Sequence, residues 1–178
     1  LVLAGSIPSS MPDTMYSDIM QFLEGKGIQV VVDATRDLLV NVLKYHPFLI
    51  KPNNHELGEI FGVELKEKAE VLKYAKKLQE QGARNVLVSM AGEGAVLAAE
   101  DGSVYESVAP KGHVVNSVGA GDSMVAGFLY GYLQSEMYKT AFQVGVATGS
   151  ASAFSENLAT KAEVETVLKT MISEASGE

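Results

Sequence analysis

Apolar and polar positions follow two patterns in turn along the chain. Continuous apolar runs at positions 28–33 and 85–90 are typical of strands that are buried on both faces of a sheet. Between such runs, apolar residues recur at helical spacing, which predicts helices with one buried side. Strands that alternate with helices predict an α/β fold with a mostly parallel sheet and helices on both faces.

The pattern also gives the order of the elements. We predict strand 1–4, helix 13–25, strand 28–33, helix 38–43, strand 47–53, helices 54–62 and 66–81, strand 85–90, a hairpin over 94–110, and helices 120–133, 138–154 and 161–173. The hairpin is expected to turn at Asp101 and Gly102. No internal repeat, linker or low-complexity segment interrupts this order, and residues 1–178 are therefore predicted to form one domain.

The composition is that of a folded globular domain, with 47% hydrophobic and 20% charged residues among 178. The net charge of −8, from 14 basic and 22 acidic residues, argues against a broad surface for nucleic acid or anionic membranes, because both require a basic patch. The absence of cysteine excludes disulfides and thiolate metal sites and fits a cytoplasmic location. No uninterrupted apolar run reaches the ~18 residues that a membrane-spanning helix requires.

A polar cluster comes directly after each predicted strand and after the hairpin. The clusters are "GSIPSS" at 5–10, Asp33, "KPNNHE" at 51–56, "SMAGEG" at 89–94 and "NSVGAGD" at 116–122. Ligands of parallel α/β sheets bind beyond the carboxyl ends of the strands. The sequence therefore predicts a ligand site at that edge of the sheet.

The segment "VGAGD" combines glycines, a helix start and a carboxylate. Gly119 and Gly121 allow a sharp turn that leaves backbone N–H groups uncovered, and the positive end of the next helix lies beside them. Together these groups can form an anion hole, in which Asp122 could accept a proton from a bound hydroxyl. Spacing alone leaves a second interpretation open, in which Asp122 caps the helix or complements its dipole, and this is the commoner role.

Two further clusters allow both a functional and a structural interpretation. Gly92 and Gly94 could admit a phosphate or ribose close to the backbone, or could simply connect two strands. Lys51 could meet a phosphate as a point charge. Asn53 and Glu56 are one helical turn apart, so that they could serve Mg²⁺ and its phosphates or could cap the next helix.

Several common sites are excluded or disfavoured by the pattern. The chain has no P-loop motif, no dinucleotide fingerprint that opens a helix, and no G-x-S-x-G elbow. His46, His55 and His113 are scattered without the spacing of metal ligands, and we expect them at the surface or in loops.

The order of the clusters carries more information than each one alone. "GSIP", "KPNNHE", "VSMAGEGA" and "VNSVGAGDSMVAGF", in this order, resemble the ribokinase-like PfkB family of sugar kinases across essentially the whole chain. Within the family, "LAGSIPSS", "YHPFLIKPNNHEL" and "ENLAT" are most similar to the bacterial members that phosphorylate fructose 1-phosphate, and the tagatose-6-phosphate kinases are next. The resemblance implies a ribokinase-like fold.

The resemblance also implies roles for individual residues. Asp122 matches the catalytic base that deprotonates the sugar hydroxyl, and Gly119, Ala120 and Gly121 match the anion hole for the transferring γ-phosphoryl group. Ser6 matches a position that lines the sugar-phosphate site. These assignments fit phosphoryl transfer, which depends on positioning and electrostatics more than on covalent chemistry.

For the nucleotide and the ions, the resemblance implies a second group of residues. The nucleotide positions are Lys51, Asn53, Asn116, Gly121 and the loop of Ser89, Met90, Ala91, Gly92, Glu93 and Gly94. Glu56 matches the acidic residue that organises Mg²⁺ through water, and Asn116 and Val118 are candidates for a monovalent cation such as K⁺. Residues 145–154 match the segment beside the adenine. Ala91 stands where many relatives have glycine.

The expected reaction is ATP-dependent phosphorylation of the 6-hydroxyl of fructose 1-phosphate. A module that binds a nucleotide or sugar phosphate without turnover, or an acidic scaffold, is the alternative. The family is normally longer, and its N-terminal half carries further sugar-binding residues and a β-sheet lid that often forms a homodimer contact. We expect this chain alone to be weakly active or inactive, because that lid excludes water.

Overall fold

A computed structural model describes residues 1–176, which contain six strands and seven α-helices. The strands are β1 (Val2–Ala4), β2 (Val31–Asp33), β3 (Leu49–Ile50), β4 (Asn85–Ser89), β5 (Ala95–Ala98) and β6 (Val104–Ser107). The helices are α1 (Met15–Leu23), α2 (Arg36–Val40), α3 (Asn54–Phe61), α4 (Lys68–Glu80), α5 (Ala120–Ser135), α6 (Tyr138–Phe154) and α7 (Lys161–Ser176). Short 3₁₀ turns lie at Leu43–Tyr45 and Ala91–Glu93.

The strands form one six-stranded sheet in the order β1-β2-β3-β4-β5-β6. The first four strands are parallel, with Ala4 opposite Asp33 and Val32 opposite Ile50. Parallel pairing places the carboxyl ends of β1 to β4 at the same edge, as the alternation of strands and helices predicts. The predicted hairpin is also confirmed, because Gly102 N–H donates to Ala99 O at 3.1 Å in the turn between β5 and β6.

Several predicted ends were wrong. The strand predicted at 28–33 begins at Val31, and the strand predicted at 47–53 is reduced to Leu49–Ile50 with one further bridge at Asn53. The helix predicted at 38–43 is instead α2, followed by a separate 3₁₀ turn. Ile28 is 47% exposed, so its apolar character marks no buried strand position.

The chain divides into two compact units. The first contains residues 1–90 and 96–104, and the second contains residues 91–95 and the chain from Tyr105 onward. Val32, Ile50 and Val86 of adjacent strands are fully buried in the core of the first unit. Burial of each such side chain stabilises the folded state by about 1.5–3 kcal/mol. None of the helices in the described part of the chain is long and apolar enough to cross a membrane.

In the second unit, α5 and α6 pack closely through glycines. A Cβ built on Gly127 would lie 2.7 Å from Val144 O and 2.6 Å from the Thr148 Cβ. From the other helix, a Cβ on Gly145 would lie 3.0 Å from Met124 O. The backbones therefore approach too closely for larger side chains, and this contact fixes the position of α5 along α6.

We expect Gly127→Ala to destabilise the protein by about 1–3 kcal/mol, because the new methyl group meets backbone and a packed side chain. In an uncrowded helix the same change would stabilise by about 1 kcal/mol. Urea unfolding of Gly127→Ala measures the net effect of crowding and helix propensity. Ala126→Gly, at the exposed neighbouring position, is the control that measures helix propensity alone. A Gly127→Ala protein as stable as the wild type would contradict the close packing.

Candidate active site

Lys51 and Asp33 form a shielded ion pair beyond the carboxyl ends of β2 and β3. Lys51 Nζ lies 3.4 Å from Asp33 Oδ1, and the two side chains are 8% and 17% exposed. The sequence predicts Lys51 as a phosphate contact but assigns no role to Asp33. The only signal for Asp33 in the sequence is its position at the end of a predicted buried strand. The Lys51 ammonium, paired with the Asp33 carboxylate, thus lies at the edge where the sequence predicts a ligand site.

Asn53 and Glu56 form a reciprocal capping box at the start of α3. Asn53 Oδ1 accepts from Glu56 N–H at 2.8 Å, and Glu56 Oε2 accepts from Asn53 N–H at 2.8 Å. The capping interpretation is therefore correct, and it leaves room for function because a carboxylate accepts several hydrogen bonds. The backbone of Asn53 also bridges to Ser89, which brings two predicted nucleotide residues together.

The "GSIP" segment turns sharply where β1 ends. Gly5 has φ +86°, and its N–H donates to Asp33 O at 3.0 Å. The Tyr16 hydroxyl of α1 donates to Ala4 O at 2.8 Å and to Gly5 O at 3.1 Å. Ser6, the predicted sugar-phosphate residue, is exposed on this turn. Tyr16 is a residue that sequence reasoning missed, because nothing in the helical pattern of residues 13–25 singled it out.

The loop after β4 is a tight 3₁₀ turn with two left-handed residues. Met90 is buried, whereas Ala91, Gly92 and Glu93 are exposed. Gly94 has φ +95°, and a Cβ there would lie 2.7 Å from Val108 C, so the position requires glycine. The predicted loop is thus formed, with exposed backbone at residues 91–93.

Ala91 has φ +47°, a left-handed conformation that favours glycine over a residue with a Cβ. The left-handed conformation destabilises a residue with a Cβ by about 1–2 kcal/mol. Glycine avoids this strain, but it lowers the stability by about 0.4–1 kcal/mol because it gives the unfolded chain more conformational entropy. We therefore expect Ala91→Gly to stabilise the protein by about 0.5–1 kcal/mol in urea unfolding. Gly92→Ala is the control, since a Cβ there meets nothing within 4 Å and its φ lies outside the left-handed region. A loss of stability in Ala91→Gly would contradict the strain.

Gly119 is the N-cap of α5, and Asp122 is the third residue of that helix. Asp122 is therefore not the cap, although its position in the first turn complements the helix dipole. Gly119 has φ +79°, and a Cβ there would lie 2.9 Å from Leu158 Cδ2. The N–H groups of a first helical turn have no carbonyl within the helix. The exposed Asp122 carboxylate thus lies at a helix start that can accept an anion.

Asn116 fastens the loop before this helix. Its Oδ1 accepts from Val118 N–H at 3.0 Å, and its Nδ2 donates to Glu156 O at 3.4 Å. Val115 N–H and Asn116 N–H both donate to Ala153 O, at 2.8 and 3.1 Å. Asn116 and Val118 are thus held in a tight turn, and their role toward a monovalent cation stays a prediction.

The segment predicted beside the adenine, residues 145–154, lies in α6. At its end the Phe154 ring covers Gly112, where a Cβ would lie 2.6 Å from Phe154 Cδ2. His46, His55 and His113 are exposed, as predicted.

The predicted site residues are divided between the two units. Ser6, Lys51, Asn53, Glu56, Ser89 and Met90 belong to the first unit, whereas Ala91 to Gly94 and Asn116 to Asp122 belong to the second. Within the first unit, backbone pairing and the Asp33–Lys51 contact bring the ends of β1 to β4 together. Among the described residues, no group of three or more histidine, cysteine, aspartate or glutamate side chains is arranged to hold a metal ion.

A sequence model of the pfkB family carbohydrate kinases matches residues 1–165. The chain belongs to this family. The structural relatives of the chain are ribokinase-like, and the predicted fold class is therefore confirmed.

Individual relatives give the same picture. The chain is 49% identical over 168 residues to a 1-phosphofructokinase of Bacillus subtilis. The matched region covers 94% of this chain and 55% of the relative. The crystal structure of a candidate phosphofructokinase of Staphylococcus aureus superposes with a TM-score of 0.89 at 41% identity, over 95% of this chain and 55% of that one. Phosphofructokinase-2 of Escherichia coli in complex with potassium superposes with a TM-score of 0.88 at 26% identity, over 96% of this chain and 56% of that one. The chain thus spans about half the length of the curated relatives that it matches.

Proposed function

We propose that the full-length protein carrying this chain is an ATP-dependent kinase of fructose 1-phosphate. The observation that carries the proposal is the Gly119–Asp122 junction, where a left-handed glycine opens a 16-residue helix and an exposed carboxylate lies in its first turn. The similarity to the Bacillus subtilis 1-phosphofructokinase supports the choice of sugar. A cytoplasmic location and a homodimer of the full-length protein stay predictions.

In the proposed reaction, Asp122 removes the proton from the 6-hydroxyl of fructose 1-phosphate. The oxygen forms a bond to the γ-phosphorus of ATP while the bond from that phosphorus to the β-phosphate oxygen breaks. The products are fructose 1,6-bisphosphate and ADP, and Asp122 passes its proton to solvent. The backbone N–H groups at Gly119 and Gly121 stabilise the charge on the transferring group, because they lie at the positive end of α5 before the substrate arrives. The Ala120 N–H, the third group of the predicted anion hole, donates to Ser117 O at 3.2 Å and would have to leave that carbonyl to take part.

The residues of the first unit have an electrostatic role in the proposed reaction. The Lys51 ammonium supplies a positive charge for the nucleotide phosphates, and Asp33 holds it at the strand ends. Glu56 is suited to Mg²⁺, because its carboxylate is half-buried, fixed by Asn53 and able to accept bonds from metal-bound water. Mg²⁺ would neutralise charge on the phosphates. Ser89 and the following loop to Gly94 contact the nucleotide in this proposal.

The experiment is a steady-state kinase assay of the full-length protein with MgATP. We expect the highest kcat/KM with fructose 1-phosphate, compared with tagatose 6-phosphate and fructose 6-phosphate as alternative acceptors. Preference for tagatose 6-phosphate would overturn the choice of sugar while leaving the kinase assignment intact.

Calorimetry separates the remaining alternatives. MgATP binding without turnover of any sugar phosphate would identify a binding module and overturn the proposed catalysis. No binding signal for MgATP would favour the acidic scaffold. Omission of Mg²⁺ is expected to abolish turnover, and full activity in the presence of a chelator would contradict the proposed use of the metal.

A further inference from the structure

The turn that carries Ser6 is held by a buried side chain from outside the predicted site. Tyr16 of α1 is 7% exposed, and its single hydroxyl proton is shared between two successive carbonyls, Ala4 O at 2.8 Å and Gly5 O at 3.1 Å. On the other side, Gly5 N–H donates to Asp33 O at 3.0 Å. The backbone just before Ser6 is therefore fixed from both α1 and β2.

The chemical environment favours a donating hydroxyl at Tyr16. Burial, and after it the negative charge on Asp33, raises the pKa of the Tyr16 hydroxyl above its ordinary value. Both effects keep the proton on the oxygen, and a protonated hydroxyl is the form that can donate to a carbonyl. Phenylalanine would fill the same space without donating.

The left-handed conformation of Gly5 indicates what the hydrogen bonds from Tyr16 stabilise. Gly5 has φ +86°, and no atom lies within 4 Å of a Cβ built there. Packing therefore does not force the left-handed conformation, and the hydrogen bonds from Tyr16 and to Asp33 define it instead. The same Asp33 contacts Lys51 through its carboxylate at 3.4 Å, so the turn and the lysine share one anchor.

We propose that Tyr16 is a positioning residue for the sugar phosphate: its hydroxyl holds the Ala4–Gly5 turn so that Ser6 faces the acceptor. The inference rests on the proposed function, since Ser6 lines the sugar-phosphate site in that proposal. Tyr16 does not touch the reacting atoms, and it acts through the backbone that it binds.

The test compares Tyr16→Phe with Tyr74→Phe in the full-length protein. Tyr74 is a half-buried tyrosine of the same unit whose ring lies 5.0 Å from that of Phe61, and it serves as the hydroxyl-deletion control. We expect Tyr16→Phe to raise the KM for fructose 1-phosphate about ten-fold, while the KM for ATP and the kcat stay within about two-fold. The control should leave all three constants within about two-fold.

A second variant and a second readout keep the test independent of folding. Gly5→Ala strains the same turn without crowding it, and it should raise the KM for fructose 1-phosphate in the same way. Amide hydrogen exchange at residues 4–7 should become faster in Tyr16→Phe and stay unchanged in Tyr74→Phe.

The possible failures are distinguishable. If the wild-type protein phosphorylates fructose 1-phosphate and Tyr16→Phe has an unchanged KM for it, the inference is wrong and the proposed function stands. A parallel rise in both KM values together with lower thermal stability would indicate a merely structural role and would also overturn the inference. A wild-type protein with no activity on fructose 1-phosphate overturns the proposed function and the inference together.

Discussion

Replacement of Asp122 by asparagine is expected to lower kcat about 10²–10⁴-fold, the usual contribution of a general base. Asparagine keeps the size and the exposed position at the third residue of α5 but cannot accept the proton of the sugar hydroxyl. The affinity for ATP should stay close to that of the wild type, because the proposed anion hole consists of backbone groups. Loss of the favourable charge at the helix start costs at most about 1 kcal/mol of stability.

Asp37→Asn is a closely matched control for this experiment. Asp37 is also an exposed aspartate in the first turn of a helix, so its replacement removes the same type of charge–dipole interaction. We expect this control to retain full kcat. Near-normal turnover in Asp122→Asn would eliminate Asp122 as the base, and an equal loss in both variants would indicate a general electrostatic effect.

Replacement of Lys51 by methionine is expected to have the largest effect on stability, a loss of about 3 kcal/mol in the free energy of unfolding. The change removes the ammonium but leaves the Asp33 carboxylate largely shielded from water, with 17% of its side chain exposed. A largely buried charge that loses one of its partners is far more costly than the same loss at the surface. Urea unfolding of the full-length variant measures the difference.

The surface pair of Lys66 and Glu64 provides the comparison. Their side chains are 74% and 75% exposed at a distance of 2.9 Å, and Lys66→Met should therefore cost far less stability than Lys51→Met. In the double variant Asp33→Asn/Lys51→Met, part of the lost stability should return, because the carboxylate charge is removed as well. A Lys51→Met protein that is no less stable than Lys66→Met would show that the pair is solvated.

Much of the first unit could be predicted, because buried parallel strands and amphipathic helices leave a periodic pattern in the sequence. The start of α5 at Ala120 was predicted to the residue, since Gly119, with its left-handed conformation, directly precedes an apolar stretch at helical spacing. The ends of β2 and β3 were wrong, because an apolar run continues beyond the residues that pair with a neighbouring strand.

The contacts that shape the site could not be predicted in the same way. Lys51 meets Asp33, and Tyr16 meets Gly5, only because separate strands and a helix end at the same edge of the sheet. No periodicity connects residues at such separations, and nothing in the sequence paired Lys51 with Asp33 or Tyr16 with Gly5. The capping box was readable because both partners lie within one turn.

The hydrogen bonds of Ala153 O have a mechanical consequence. By accepting from both Val115 N–H and Asn116 N–H, this carbonyl joins the end of α6 to the loop that leads into Gly119. Asn116 adds a second link through Glu156 O. These hydrogen bonds couple the loop to the helix end. A displacement of the proposed anion hole would therefore strain α6, and strain applied to α6 would reach Asp122 by the same route.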